Sequence, residues 1–329
     1  MFDMVAIGSA TRDNFLKRDY MLIDWPETPL GKAMVLPLGE KLGVEEAYFT
    51  VGGNAVNAAI TFARHGFKTA CAAKVGIDLP AKELLARFKK EGVSTKHISQ
   101  TDERPTAYSV LLLRGGERTI LGYHGASDTF TLQDLNLKKL KAGWWYVSLA
   151  GESDKMYLEL VRFAKEKNIQ VAFNPSGHHI HHRKDEILAS LKDIAILAVN
   201  AGEAAELTGI SFHEEEKVFK KIDELMSPGI VVVTDAEKGV TVSDGKKIYK
   251  AGIFKEKKVA DRTGAGDSFG SGFVATIARG GTIPEAIRFA SANATSVIER
   301  IGATEGVLTR EAYEGDERWK NFKIGVRDL

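Results

Sequence analysis

The stretch Asp261-Arg-Thr-Gly-Ala-Gly-Asp267-Ser-Phe-Gly-Ser-Gly-Phe273 joins a glycine turn to a helix. A short β-like run, Lys257 to Ala260, precedes it, and Phe269, Phe273 and Ile277 share one face of the helix that Gly280-Gly281 closes. The turn Gly264-Ala265-Gly266 therefore opens the helix. Small residues there let backbone N–H groups point outward without Cβ obstruction, and the helix dipole favours an anion, such as phosphate charge. Asp267 lies at the mouth of that anion site, where its carboxylate is placed to take a proton from an attacking hydroxyl. The helix N-terminus should hold its pKa down and a bound triphosphate should push it up. An N-cap aspartate after a glycine turn is the plainer reading of the same residues.

Working outward, strand-like runs fall at Trp144–Leu149, Gln170–Phe173, Ile194–Val199 and Ile230–Thr234, with helical stretches at Asp154–Lys167, Lys184–Leu191, Gly202–Thr208 and His213–Met226. Strands alternating with helices predict an α/β fold with a parallel, doubly wound sheet, whose ligands bind at the carboxyl ends of the strands. Nearer the start, Phe2–Ile7 and Thr69–Val75 read as strands, and 54–65 and Leu79–Glu91 as helices ended by Gly66 and Gly92. Thr106–Leu113 and Glu117–Tyr123 read as a hairpin turning at Gly115-Gly116. Residues 11–50, broken by Pro26, Pro29 and Pro37, suggest small strands and loops. The expected plan is one domain over 1–329, with a small β subdomain drawn from about 11–50 and 103–125.

Composition narrows the function. The 329 residues are 44% hydrophobic and 27% charged with a net charge of +1, which points to neither nucleic acid nor a membrane surface as partner. One cysteine, Cys71, excludes an internal disulfide and a cysteine-based zinc site, and its apolar neighbours mark it as core. The first residues have no basic segment and no apolar run approaches the roughly 20 residues of a membrane span. A cytoplasmic protein acting on a small molecule is expected. His178-His-Ile-His-His182 reads as exposed loop histidines, Trp144-Trp-Tyr as packing, and Glu214-Glu-Glu-Lys as a solvated first turn.

There is no G-x-x-x-x-G-K-[ST] and no G-x-G-x-x-G, so a P-loop enzyme is excluded and a dinucleotide dehydrogenase disfavoured. A second glycine turn, Gly52-Gly53-Asn54-Ala-Val-Asn57, opens another helix. Asn54 and Asn57, one turn apart, present donors and acceptors suited to hydroxyl groups, or simply cap a helix.

Together Gly52-Gly-Asn-Ala-Val-Asn57 and Asp261-x-Thr-Gly-Ala-Gly-Asp267 resemble the two signatures of the ribokinase-like, or PfkB, carbohydrate kinase family. Gly8-Ser-Ala-Thr-Arg-Asp13, Arg104-Pro-Thr-Ala, Gly116-Glu-Arg-Thr-Ile, His124-Gly-Ala and Asn200-Ala-Gly-Glu203 extend the likeness over nearly the whole chain. The resemblance implies a ribokinase-like α/β core with a β-sheet lid and transfer of the ATP γ-phosphoryl group to a sugar hydroxyl. A nucleoside kinase of the adenosine or inosine type is the alternative, with Phe15, Tyr48 and Phe49 available for a base. A sugar sensor without turnover is a third. The same likeness makes Asp267 the catalytic base and the N–H groups of Gly264, Ala265 and Gly266 the anion hole. It places Asp13, Gly53, Asn54 and Asn57 on substrate, and Asn200, Glu203, Thr234 and Gly239 at the nucleotide. Mg²⁺ would be held by Asn200 and Glu203 through water, and K⁺ near Asp261 and Thr263. A homodimer through the lid is a further expectation. Three positions depart from the pattern: Ala236 replaces a frequent glycine, Asn54 a frequent lysine and Thr11 a frequent asparagine.

Overall fold

The computed structural model describes all 329 residues except Pro29. β1 (Phe2–Gly8) runs through the centre. Its Met4 and Ala6 face one apolar layer, and Val5 and Ile7 the other, the two-residue alternation of a strand covered on both sides. The chain then makes β2 (Thr11–Lys17), β3 (Met21–Asp24), β4 (Lys32–Val35) and β5 (Glu46–Gly52). α1 (Asn54–Arg64), β6 (Thr69–Gly76), α2 (Leu79–Glu91) and β7 (Ser94–Thr101) return to the core. The hairpin β8 (Ala107–Arg114) and β9 (Glu117–Tyr123) turns at Gly115-Gly116.

A regular alternation follows: β10 (Ala142–Ser148), α3 (Tyr157–Glu166), β11 (Gln170–Phe173), α4 (Gly177–Ser190), β12 (Ile196–Asn200), α5 (Ala201–Thr208), α6 (Glu215–Met226) and β13 (Ile230–Thr234). Last come β14 (Val240–Ser243), β15 (Lys247–Ala251), α7 (Ala265–Ala278), α8 (Ile283–Ile298), α9 (Arg310–Glu314) and β16 (Ile324–Asp328).

Ten strands form one sheet in the order β16-β15-β14-β13-β12-β11-β10-β1-β6-β7. Pairing is parallel from β7 to β13 and antiparallel from β13 to β16. Buried side chains of α1, α2, α7 and α8 pack on one face, and those of α3, α4, α5 and α6 on the other. This is the expected doubly wound α/β core. Burying one Leu or Phe side chain contributes about 1.5–3 kcal/mol, so the wholly buried Phe273 and Phe173 anchor the two layers. Phe273→Ala would cost about 3–5 kcal/mol.

The order turns at β1: the chain winds outward to β6 and β7 on one side and to β10–β13 on the other. That switch point leaves a crevice above the carboxyl end of β1. A second sheet, β5-β2-β8-β9, stands beside the crevice. Among the described residues no helix is long and apolar enough to cross a membrane.

Several expectations need correction. The histidine tract is not a loop: Ser176 caps α4 by accepting from the His179 N–H at 3.2 Å, so 178–182 are helical. His179 is wholly buried, its ring edge-on to Tyr157 at 4.9 Å and Phe173 at 5.2 Å, and burial lowers its pKa to about 3. Lys257–Ala260 is not a strand. The Lys257 N–H donates to Glu299 Oε1 at 2.6 Å and the Ala260 N–H to the Ile298 carbonyl at 2.9 Å, so its partners lie at the end of α8. The cap of α1 is His65, with Gly66 the residue after it. The stretch expected as a helix from Asp154 begins as a 3₁₀ turn and becomes α-helical only at Tyr157. Cys71 and the Trp145-Tyr146 pair are core, as expected.

Candidate active site

The crevice is built by two helix N-termini that face each other. α1 starts after Gly53 and α7 after Gly264. Gly264 has φ 78°, and a Cβ there would lie 2.5 Å from the Ala303 Cβ, so both conformation and space require glycine. It is the N-cap, and no side chain caps the helix. Asp267 stands three residues further on, inside the first turn, so the plainer reading of it as an N-cap does not hold. The first N–H groups of α7 have no acceptor within the helix, and the Ala265 N–H makes a long bond of 3.4 Å back to the Arg262 carbonyl.

One bond joins the two motifs. Asn57 Nδ2 donates to Asp267 Oδ2 at 2.8 Å across 210 residues of sequence. Asn57 is buried, and its Oδ1 has no partner. Asp267 is half-buried, and burial raises its carboxyl pKa while the Asn57 bond lowers it. The net direction is upward, opposite to that expected from the helix N-terminus alone. Burial outweighs the Asn57 bond here, which makes Asp267 a better proton acceptor.

Asp13, on β2, is 6% exposed. Burial first, then the charges of Asp261 and Asp267, push its pKa up to about 7, against the lowering effect of Ser109 on β8. Gly52 makes this placement possible, since a Cβ there would sit 1.9 Å from Asp13 Oδ2. Gly53 follows as the N-cap of α1. Asn54 is held at both ends: its N–H donates to Ser9 Oγ at 3.1 Å and its Nδ2 to Ser148 Oγ at 2.9 Å. Ser148 in turn donates to the Asn174 carbonyl at 2.7 Å, and Asn174 Nδ2 to the Ala198 carbonyl at 2.8 Å. This polar chain crosses the carboxyl ends of β10, β11 and β12. Ser9, Ser148 and Asn174 were not singled out from sequence, although a polar residue ending each parallel strand was the available signal.

Asn200 and Glu203 form a reciprocal cap at the start of α5: the Asn200 N–H donates to Glu203 Oε2 at 2.8 Å, and the Glu203 N–H to Asn200 Oδ1 at 2.9 Å. Burial first, then Asp267, raise the Glu203 pKa to about 7. Thr234 ends β13, and Gly239 closes the turn after it. Within that turn Ala236 has φ 41°, a left-handed conformation that strains a residue with a Cβ.

Asp261 is wholly buried. Its Oδ1 accepts from the Thr263 N–H at 3.0 Å and the Thr263 hydroxyl at 2.7 Å, and its Oδ2 from the Gly302 N–H at 3.2 Å. Among the described residues no lysine or arginine pairs with it. A buried carboxylate with only neutral donors fits a nearby monovalent cation. Arg262 beside it reaches Glu117 at the tip of the β8–β9 hairpin, 3.4 Å, and Glu237 at 3.7 Å. The aromatic trio does not converge: Phe15 and Tyr48 pair on one face of the second sheet, while Phe49 pairs with Asn14 on the other and is 62% exposed.

A family model described as pfkB family carbohydrate kinase matches residues 19–310. A ribokinase from Haemophilus influenzae is 29% identical over 83% of this chain and 89% of its own length. A cytidine kinase from Thermococcus kodakarensis is 25% identical over 92% of this chain and 98% of its own. The solved ribokinase structure from Giardia lamblia superposes with a TM-score of 0.80 at 22% identity, covering 96% of this chain and 99% of that one, a likeness of fold.

Proposed function

Because the chain belongs to the PfkB family of carbohydrate kinases, a family of phosphotransferases, we propose that it moves the γ-phosphoryl group of ATP to a hydroxyl of a free sugar at the crevice between α1 and α7. The observation that carries this is the Asn57–Asp267 bond, which sets one ionisable carboxylate in the first turn of a helix whose N-terminus no side chain caps.

In the proposed reaction the sugar lies on Asp13, Gly53, Asn54 and Asn57. Asp267 accepts the proton of the attacking hydroxyl. That oxygen bonds to the γ-phosphorus as the bond to the β-phosphate oxygen breaks, and ADP leaves. The N–H groups of Gly264, Ala265 and Gly266 bind charge developing on the transferred group. Thr234 and Gly239 flank the nucleotide. Asn200 and Glu203 would hold Mg²⁺ through water, which would neutralise phosphate charge, and Asp261 with Thr263 would sit beside K⁺. The second sheet acts as the lid that excludes water. Its outer face exposes Phe49, Tyr108, Leu121 and Tyr123, which suits a second copy in a dimer.

A nucleoside acceptor is the second reading, favoured by the near full-length match to the cytidine kinase. ADP release with Mg-ATP and K⁺ across hexoses, pentoses and nucleosides separates the two. Asp267→Asn should abolish the signal. Turnover that survives in Asp267→Asn would reject the proposed base, and sugar binding without turnover would make the protein a sensor.

A further inference from the structure

A cavity of about 1040 Å³ opens at the opposite end of the large sheet from the crevice. It lies where β1, β6 and β7 begin: Phe2, Thr69 and Ser94 line it, each at the amino end of its strand. The active-site crevice lies beyond the other end of β1, a strand length of about 20 Å away.

The lining is strongly basic. Lys68, Lys89, Lys96 and Lys139 all face it and all are exposed. Among the described residues none of the four has a carboxylate within ion-pair distance. Lys89, in the last turn of α2, also suits the helix dipole; the other three lie outside any α-helix. The acidic lining residue is Asp134, and its charge is already taken: it pairs with Lys74 at 3.1 Å and accepts from Ser99 Oγ at 3.1 Å. The chain as a whole carries a net charge of only +1, so four unpaired lysines around one hollow form a local anion field. Apolar side chains line the hollow as well. The Phe2 and His97 rings meet edge to face at 5.9 Å, and both are half-buried, with Val93 and Ile98 beside them.

We propose that this cavity is a second ligand site, for a nucleoside phosphate: the lysines take the phosphate and the Phe2–His97 pair takes the base. The volume is at the upper end for small-molecule sites. The hollow is partly open to solvent, and a chain with a net charge of +1 shows no basic excess for a nucleic-acid strand, which favours a small ligand. β1 connects the two ends: its first residue lines this cavity and its last leads into Ser9 and Asp13, so occupancy here is placed to bias the second sheet.

The test is calorimetric titration of the full-length protein with AMP, adenosine and inorganic phosphate at low ionic strength, in wild type and in the double variant Lys89→Glu/Lys96→Glu. Both substitutions are at exposed, unpaired side chains, and thermal melting of both proteins without ligand checks that the variant is folded. Binding at the crevice is common to both proteins and cancels, so the result does not depend on the kinase reading. The expected result is a component of AMP binding that weakens at least about tenfold in the double variant and with added salt, with adenosine and phosphate each weaker than AMP. Identical isotherms for the two proteins would overturn the site. AMP no tighter than phosphate would overturn the nucleoside assignment. Capture of a single-stranded RNA in preference to AMP, lost in the variant, would overturn the small-ligand assignment.

Discussion

Replacing Asn57 by leucine removes one hydrogen bond from Asp267, together with the sugar contact proposed for Asn57. The two side chains are nearly isosteric, Asn57 is 3% exposed, and its Oδ1 has no partner to lose. Stability should therefore change little. The Asp267 carboxylate, however, loses the 2.8 Å bond that favours its ionised form, leaving burial to act alone. A hydrogen bond to a charged group contributes about 1.5–3 kcal/mol, which is roughly tenfold to hundredfold in the ionised fraction on the acid side of its titration. The assay is the pH profile of kcat/KM for the phosphorylated substrate, with Tm recorded at each pH. The acid limb should move to higher pH in Asn57→Leu, and the rate should return toward wild type on the alkaline side. An unmoved acid limb with a uniformly lower rate would refute the reasoning, since Asn57 would then act on the substrate alone and not on the ionisation of Asp267.

Three further outcomes are expected. Asp13 has a folded-state pKa of about 7 against an ordinary 3.8, so it contributes stability at low pH that is lost as pH rises through 7, about 4 kcal/mol in all. The wild-type Tm should fall between about pH 4 and about pH 7 more steeply than that of Asp13→Asn, by thermal scans of both. Gly264→Ala forces a Cβ to 2.5 Å from that of Ala303 at φ 78°, at a cost above the roughly 1–2 kcal/mol of the left-handed conformation alone; kcat should collapse while substrate binding by calorimetry survives. Ala236→Gly relaxes φ 41° and relieves about 1 kcal/mol of strain; the KM for ATP should fall, with the KM for the sugar unchanged.

The large sheet was legible because its strands are buried on both faces and read as unbroken apolar runs, while their helices carry local caps. α2 shows this well: Asp78 accepts from the Ala81 N–H and Gly92 closes the helix, and both ends were readable. Lys257–Ala260 and the histidine tract misled for opposite reasons. The first has β-like composition, but tertiary bonds tie it to the end of α8. The second has poor helix formers, and a single cap at Ser176 with aromatic packing around His179 overrides their propensity. In the crevice, the two glycine turns were visible as local backbone signals. The bond between Asn57 and Asp267 was not, because no local pattern says which of two asparagines, one turn apart, points at a carboxylate far along the chain.

The sequence named the carboxylates separately, but their mutual effect appears only when they are brought together. Asp13 is raised by Asp261 and Asp267, and Glu203 by Asp267. Among the described residues none of these four carboxylates is paired with a lysine or arginine. In two of them burial, with the neighbouring carboxylates as a lesser cause, raises the pKa to about 7, which favours the protonated form. Such a site resists a bare triphosphate and admits one whose charge arrives already neutralised. Charge balance thus supports the proposed dependence on Mg²⁺ and K⁺ independently of family likeness. The lysines at the far end of the sheet, by contrast, leave the opposite charge unbalanced, and an anion needs no metal there.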